Sequence, residues 1–180
     1  MTSAEPASST PAPDQPFRVR AALPRDVREV RDLVEPYAAS RILLAKELVG
    51  YYEAVQEFVV AQDASGALIG CGALHVMWAD LAEVRTLAVH PAWRGRGVGH
   101  ALLDELIERA RTLGLRRLFC LTFEVDFFVA HGFHVIAGTP VDTDVYAELL
   151  RSHDDGVAEF LDLARVKPNT LGNTRMLLEL

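Results

Sequence analysis

The sequence predicts an α/β fold built on a mixed sheet. Three observations predict it. Segments with strand spacing and segments with helical spacing follow one another in the order β-α-α-β-β-β-α-β-α-β, with a final strand. The turn Asp63-Ala64-Ser65-Gly66 joins two apolar strands as a β-hairpin. The run Leu118-Phe119-Cys120-Leu121-Thr122 is almost continuously apolar, which suits a strand covered on both faces.

Taken in order, residues 1–16 form a Pro/Ala/Ser-rich tail with too little apolar bulk to order itself, and the folded domain is expected over 17–180. Phe17-Arg18-Val19-Arg20 alternates as a first strand. Pro24 opens a helix whose apolar face is Val27, Val30, Leu33, Val34 and Tyr37, and Pro36 predicts its end or a kink. The connection Ser40–Lys46 carries unusual apolar weight, and a short helix follows over Glu47–Val55. Phe58–Ala61 and Leu68–Val76 are the arms of the hairpin, and Leu81–Val89 is the next strand. Beyond Leu118–Thr122 come a short helix over Asp126–Ala130, a C-cap at Gly132 and a strand over Phe133–Ile136. Asp142–Ser152 reads as helix, with Val145, Leu149 and Leu150 as candidates for its inward face. Gly156–Asn173 has no readable pattern, and Arg175–Leu178 closes the chain as a strand.

The stretch Glu83–Leu115 organises the rest. Its strand ends in Leu87-Ala88-Val89, a turn follows at His90-Pro91-Ala92-Trp93, and then comes the loop Arg94-Gly95-Arg96-Gly97-Val98-Gly99. The loop opens into a helix with Leu102, Leu103, Leu106, Ile107, Ala110 and Leu113 at helical spacing. Glycines let backbone N–H groups reach a ligand, and a helix N-terminus adds unpaired donors and a positive dipole end. Together these make a phosphate cradle, to which Arg94 and Arg96 add charge. The plainer reading is a strand-to-helix turn with two solvated arginines. The loop is neither a P-loop nor an ordinary dinucleotide fingerprint.

Composition excludes several classes. The 180 residues carry a net charge of −7, which argues against a nucleic-acid binder. Cys71 and Cys120 lie in apolar strand runs and read as free buried thiols, which fits a reducing cytoplasm. The N-terminus has neither a basic n-region nor an apolar core, so no signal peptide is expected, and no stretch suggests a membrane span. His131-x-x-His134 lacks supporting ligands, so no metal is expected.

Strand, Leu-Ala-Val-His-Pro, Arg94-x-x-Gly97-x-Gly99 and helix together resemble the central motif of the Gcn5-related N-acetyltransferases (GNAT). The resemblance covers the chain from about Phe17 onward. It implies a mainly antiparallel central sheet flanked by helices, with acetyl-CoA as co-substrate. It implies that Arg94, Gly95, Arg96, Gly97, Val98, Gly99 and His100 hold the pyrophosphate. It further implies that Leu87, Ala88 and Val89, on a strand splayed from its neighbour, hold the pantetheine arm.

Four local stretches are similar to the acetyltransferase half of bacterial N-acetylglutamate synthases. They are Ile42-Leu43-Leu44-x-Lys46, Glu83-Val84-x-x-Leu87-Ala88-Val89-His90-Pro91, Leu118-Phe119-x-Leu121-Thr122 with Phe128 and Gly132-Phe133, and Thr174-Arg175-Met176-Leu177. The likeness implies a short, stand-alone amino-acid N-acetyltransferase acting on the α-amine of glutamate or glutamine, the first step of arginine biosynthesis. Another small amine, a protein N-terminus, or acetyl-CoA binding without catalysis are the alternatives. A homodimer is one assembly open to it.

Acetyl transfer needs a neutral amine, a donor for the oxyanion and a proton for the leaving thiolate. Glu83 is the candidate base, because its place on this strand resembles that of the catalytic glutamate in several family members. Even spacing puts it on one face with Arg85, Leu87 and Val89, and pairing with Arg85 is its plainer role. Thr122 could bind the oxyanion or serve as an ordinary strand threonine. Many relatives carry a proton-donating tyrosine in the helix after this strand, where the present chain has Phe127-Phe128, so the donor stays open. The likeness to the synthases implies that the segments Leu44–Lys46 and Thr174–Arg175 meet the substrate's carboxylates, through the cations Lys46 and Arg175, and Arg85 on the central strand is a third possibility. His75 is a candidate for substrate contact, and Trp78 and Trp93 read as packing residues.

Overall fold

The computed structural model describes residues 16–44, 46–166 and 172–180. The expected tail, apart from Pro16, lies outside the described residues, as do Ala45 and residues 167–171 of the stretch without readable pattern. In chain order the elements are β1 (Phe17–Ala21), a 3-10 turn (Pro24–Asp26), α1 (Val27–Ala39), α2 (Leu48–Glu53), β2 (Phe58–Asp63), β3 (Leu68–Trp78) and β4 (Leu81–Val89). Then come α3 (Val98–Thr112), β5 (Arg117–Thr122), α4 (Val125–Val129), β6 (His134–Val135), α5 (Thr143–Leu149), α6 (Asp155–Phe160) and β7 (Thr174–Glu179).

The strands form one seven-stranded sheet in the order β1-β2-β3-β4-β5-β7-β6. The β4–β5 pair is parallel and the other neighbours are antiparallel, which is the mixed sheet that the sequence predicts. α3 covers one face, packing Val98, Leu102, Leu103 and Leu106 against Val59, Ala61, Val84 and Leu118. Burying each such leucine contributes about 1.5–3 kcal/mol. α1 covers part of the other face with Val27, Val30, Leu33 and Val34. α5 and α6 cover the rest of it, packing Leu149, Val157 and Phe160 against Leu81, Phe119 and Leu177.

Several expectations are corrected. α1 runs through Pro36 to Ala39, because Pro36 sits on the exposed face near the helix end and its carbonyl still accepts from Ser40 N at 3.2 Å. Leu113 lies past the end of α3 and is 55% exposed, so it does not belong to the buried face. Leu150 and Trp78 are also exposed rather than packed.

The most consequential correction concerns β4. Cys71 faces Ala88 and Ala73 faces Arg85, so two steps along β3 match three along β4. The extra residue is a β-bulge, with Thr86 at φ +57°. A bulge resets the alternation of side chains. Glu83 and Arg85 therefore share one face, as expected, but Leu87 and Val89 join the α3 side of the sheet. Even spacing across the bulge does not put them beside Glu83.

β4 and β5 also part. Their pairing covers Leu81↔Arg117, Ala82↔Leu118 and Glu83↔Phe119, while β5 follows β7 along its whole length. Beyond Glu83, β4 continues for six residues along an edge where β5 no longer pairs with it.

Candidate functional site

The glycine loop has the geometry that a phosphate cradle needs. Gly95 and Gly97 lie at φ +73° and +81°, and a Cβ built on either would meet nothing within 4 Å. The backbone is thus left-handed and open to the solvent side, where glycine alone is unstrained. Gly97 caps α3, a helix of 15 residues whose first N–H groups face this loop. Val98 contributes backbone only, since its side chain is buried in the core. Arg96 lies over the Trp93 ring, and Trp93 packs edge-on against Phe17. His100, in the first turn of α3, stacks on His131 and lies 5.0 Å from the Phe127 ring.

The loop is tied to the parted strands by a residue that sequence reasoning treated only as apolar. The Tyr37 hydroxyl donates to the Val89 carbonyl at 2.5 Å and accepts from Arg94 Nη2 at 2.8 Å. Arg94 also lies over the Tyr37 ring. α1, the open edge of β4 and the loop thereby meet at one point.

Where the strands part, a cavity of about 380 Å³ is lined by Leu44, Lys46, Glu83, Arg85, Leu121 and Glu159, among others. A wider cleft of about 780 Å³ shares Leu44, Lys46, Arg85 and Gly156 with it. Glu83 is 3% exposed. Its Oε2 takes no hydrogen bond among the described residues, and Arg85 Nη1 is 3.9 Å away. Burial pushes the Glu83 carboxyl above its ordinary range, against the pull of Arg85 and His75. A buried carboxylate oxygen without a hydrogen bond, at the rim of a cavity, is a functional-site signal.

Arg85 is held by Asp154 Oδ1 at 2.8 Å and by Glu57 Oε2 at 3.6 Å. It is therefore the hub of a carboxylate cluster. Gly156 seats α6 on this cluster: a Cβ there would lie 2.5 Å from Arg85 Nη1 and 2.9 Å from Glu83 Oε2. Lys46 is half-buried, and burial, with Arg85 adding, pushes its ammonium below the ordinary lysine value.

The remaining expected residues fall as follows. Arg175 reaches neither cavity. Its guanidinium donates to the carbonyls of Gly138, Glu159 and Phe160 and covers the Phe119 ring. Thr122 Oγ1 accepts from Glu124 N at 2.9 Å, the bond of a threonine closing a strand end. His75 pairs with Glu57 at 2.7 Å. Asp154, Glu159, Glu57 and Arg41 were not singled out. Asp154 and Glu159 lie where the sequence shows no periodicity, although Asp154 is a usable N-cap signal that accepts from Val157 N.

A mixed sheet that parts beside a glycine loop at a helix N-terminus defines a binder of a phosphate-bearing ligand. The chain belongs to the acetyltransferase (GNAT) family, whose model matches residues 25–138. Within it, the chain is 58% identical over 164 residues to the amino-acid acetyltransferase of Mycobacterium tuberculosis, covering 90% of this chain and 94% of that protein. A crystal structure from the same organism, in complex with CoA and NLQ, is 57% identical with a TM-score of 0.88, covering 91% of this chain and 99% of that one. N-acetylglutamate synthase from Neisseria gonorrhoeae, complexed with coenzyme A and N-acetyl-glutamate, has a TM-score of 0.73 at 24% identity. The match covers 94% of this chain but 36% of that longer one, and it shows the shared fold. Among the described residues no helix is long and apolar enough to cross a membrane, and no group of three or more His, Cys, Asp or Glu could hold a metal ion.

Proposed function

We propose that this chain transfers the acetyl group of acetyl-CoA to the α-amine of L-glutamate or L-glutamine, opening arginine biosynthesis in the cytoplasm. The observation that carries the reading is Glu83: buried, without a hydrogen bond at Oε2 among the described residues, and placed where β4 and β5 part. The 58% identity to an amino-acid acetyltransferase supports the substrate class.

Acetyl-CoA is the co-substrate, and the chain has the parts to hold it. The N–H groups of Gly95 to Gly99 at the α3 N-terminus take the pyrophosphate, with Arg94 and Arg96 beside them and His100 one turn on. Leu87, Ala88 and Val89 offer the pantetheine arm an open strand edge. The thioester is then led towards Glu83. The amino acid arrives as an ammonium, and Glu83 removes its proton, directly or through water, so that the nitrogen can attack. Thr122, at the end of β5, is the side-chain hydroxyl assigned to the oxyanion. Lys46 meets the acceptor's carboxylate, which supplies the counter-charge that burial makes it need. Leu44 packs beside it. Arg85 faces the same space while Asp154 fixes its orientation. Arg175 serves the acceptor site from behind, by holding the backbone of Glu159.

Release of CoA thiol in the presence of acetyl-CoA and a panel of free amines tests this. Turnover is expected with glutamate or glutamine and little with amines that lack an α-carboxylate. Good turnover of a polyamine with neither amino acid would overturn the substrate, and thiol release with no amine on the panel would overturn the enzyme.

A further inference from the structure

We propose that Glu159 is the proton donor of this reaction: its carboxyl protonates the sulfur of the leaving CoA while Glu83 takes the first proton of the amine. The inference deepens the reading above and rests on it. The helix after β5 offers Phe127 and Phe128, which carry no proton to give.

α6 packs Val157 and Phe160 into the core through the third apolar cluster, and Glu159, between them in sequence, lines the cavity that Glu83 also lines. Glu159 is 9% exposed. None of the hydrogen bonds among the described residues engages its carboxyl, although its backbone carbonyl is fixed by Arg175 Nη1 at 3.1 Å. A carboxyl largely withdrawn from water, with no hydrogen bond to it, is costlier ionised than neutral. A neutral carboxyl is a donor.

The charges around it act in the same direction. Glu83 on β4 and Asp154 and Asp155 at the start of α6 surround it with negative charge, and Arg85 opposes them. Lys46 and Arg41 line the cavity from the α1–α2 connection. Burial, reinforced by those three carboxylates, raises the Glu159 carboxyl to about 7. Two carboxyls in one cavity, with different surroundings, are a means of dividing acid and base duties between them.

The step balances. The ammonium gives one proton to Glu83, and its nitrogen attacks the thioester carbon. The new C–N bond forms, the C–S bond breaks with its electron pair going to sulfur, and Glu159 protonates that sulfur. The second proton leaving nitrogen returns to Glu159. Glu83 passes its proton to solvent, so the sum is one amide, one thiol and one released proton.

The test is steady-state kinetics of Glu159→Gln with acetyl-CoA and whichever of L-glutamate or L-glutamine turns over faster. We expect kcat to fall by about 10²-fold, the lower end of the range for a positioned acid or base. Both KM values should stay within about threefold, and the falling limb of kcat above about pH 7 should disappear. Its sign follows from the role: the acid form is lost as pH rises through about 7. A rise in amino-acid KM with kcat retained would make Glu159 a binding residue and overturn the proposal, as would unchanged kcat. If Glu159→Gln does not fold, the unaltered protein decides: kcat that climbs steadily from pH 7 to 9 overturns the role. Each of these results leaves the substrate reading standing, because that reading fails only if the unaltered chain turns over neither amino acid.

Discussion

Asp154 Oδ1 lies 2.8 Å from Arg85 Nη1 and also accepts from Val157 N at 2.9 Å, so one carboxylate caps α6 and anchors the cation beside Glu83. On the function proposed above, α6 is thereby part of the acceptor site. Asp154→Ala removes a cap, worth about 1 kcal/mol, and one partner of a mostly buried ion pair. We expect a stability loss of about 2 kcal/mol in urea unfolding, and a fall in kcat/KM for the amino acid of about tenfold. The KM for acetyl-CoA should hold. A variant unchanged in both measures would show the contact to be idle.

Gly97→Val tests the loop. At φ +81° an L-residue is strained by about 1–2 kcal/mol, although no atom obstructs the new Cβ. The strain falls on the N-cap of α3, the point from which the cradle's N–H groups are aimed. Acetyl-CoA affinity, measured by calorimetry on the folded variant, should drop at least about tenfold, since 1.4 kcal/mol corresponds to tenfold. Equal affinity would remove the loop from the cofactor site.

Lys46→Ala and Arg175→Ala separate direct from indirect support of the acceptor. Lys46 lines both cavities, whereas Arg175 spends its guanidinium on the Gly138, Glu159 and Phe160 carbonyls. Lys46→Ala should raise amino-acid KM about tenfold with thermal stability nearly intact, the scale of a lost charge-assisted hydrogen bond. Arg175→Ala should raise the same KM and also lower Tm by several degrees, because it strands buried carbonyls. The reverse pattern would mean that Arg175, and not Lys46, meets the substrate.

Much of this was legible in the chain. Strand boundaries at Leu81–Val89 and the buried face Leu102, Leu103, Leu106, Ile107 and Ala110 follow from periodicity, because local pattern and packing agree there. The bulge at Thr86 was not legible: no glycine marks it, and a threonine at φ +57° is chosen by tertiary context. It reversed the face assigned to Leu87 and Val89. Asp154, Gly156 and Glu159 were hidden for a different reason. α6 spans six residues, too few for a helical period to declare itself, and its role rests on contacts made across the fold. Tyr37 showed its ring at helical spacing but not the hydroxyl bond to Val89.

Deprotonation of the amine by Glu83 is tested most directly by the kcat–pH profile of Glu83→Gln. Burial raises this carboxyl, so the base form is gained as pH climbs through a value above the ordinary carboxylate range. The unaltered protein should show that rising limb. Glu83→Gln should lower kcat at pH 7 by about 10²–10⁴-fold and flatten the limb. Near-full kcat at pH 7 in the folded variant, with the limb intact, would contradict the account and leave Glu83 only the neighbour of Arg85.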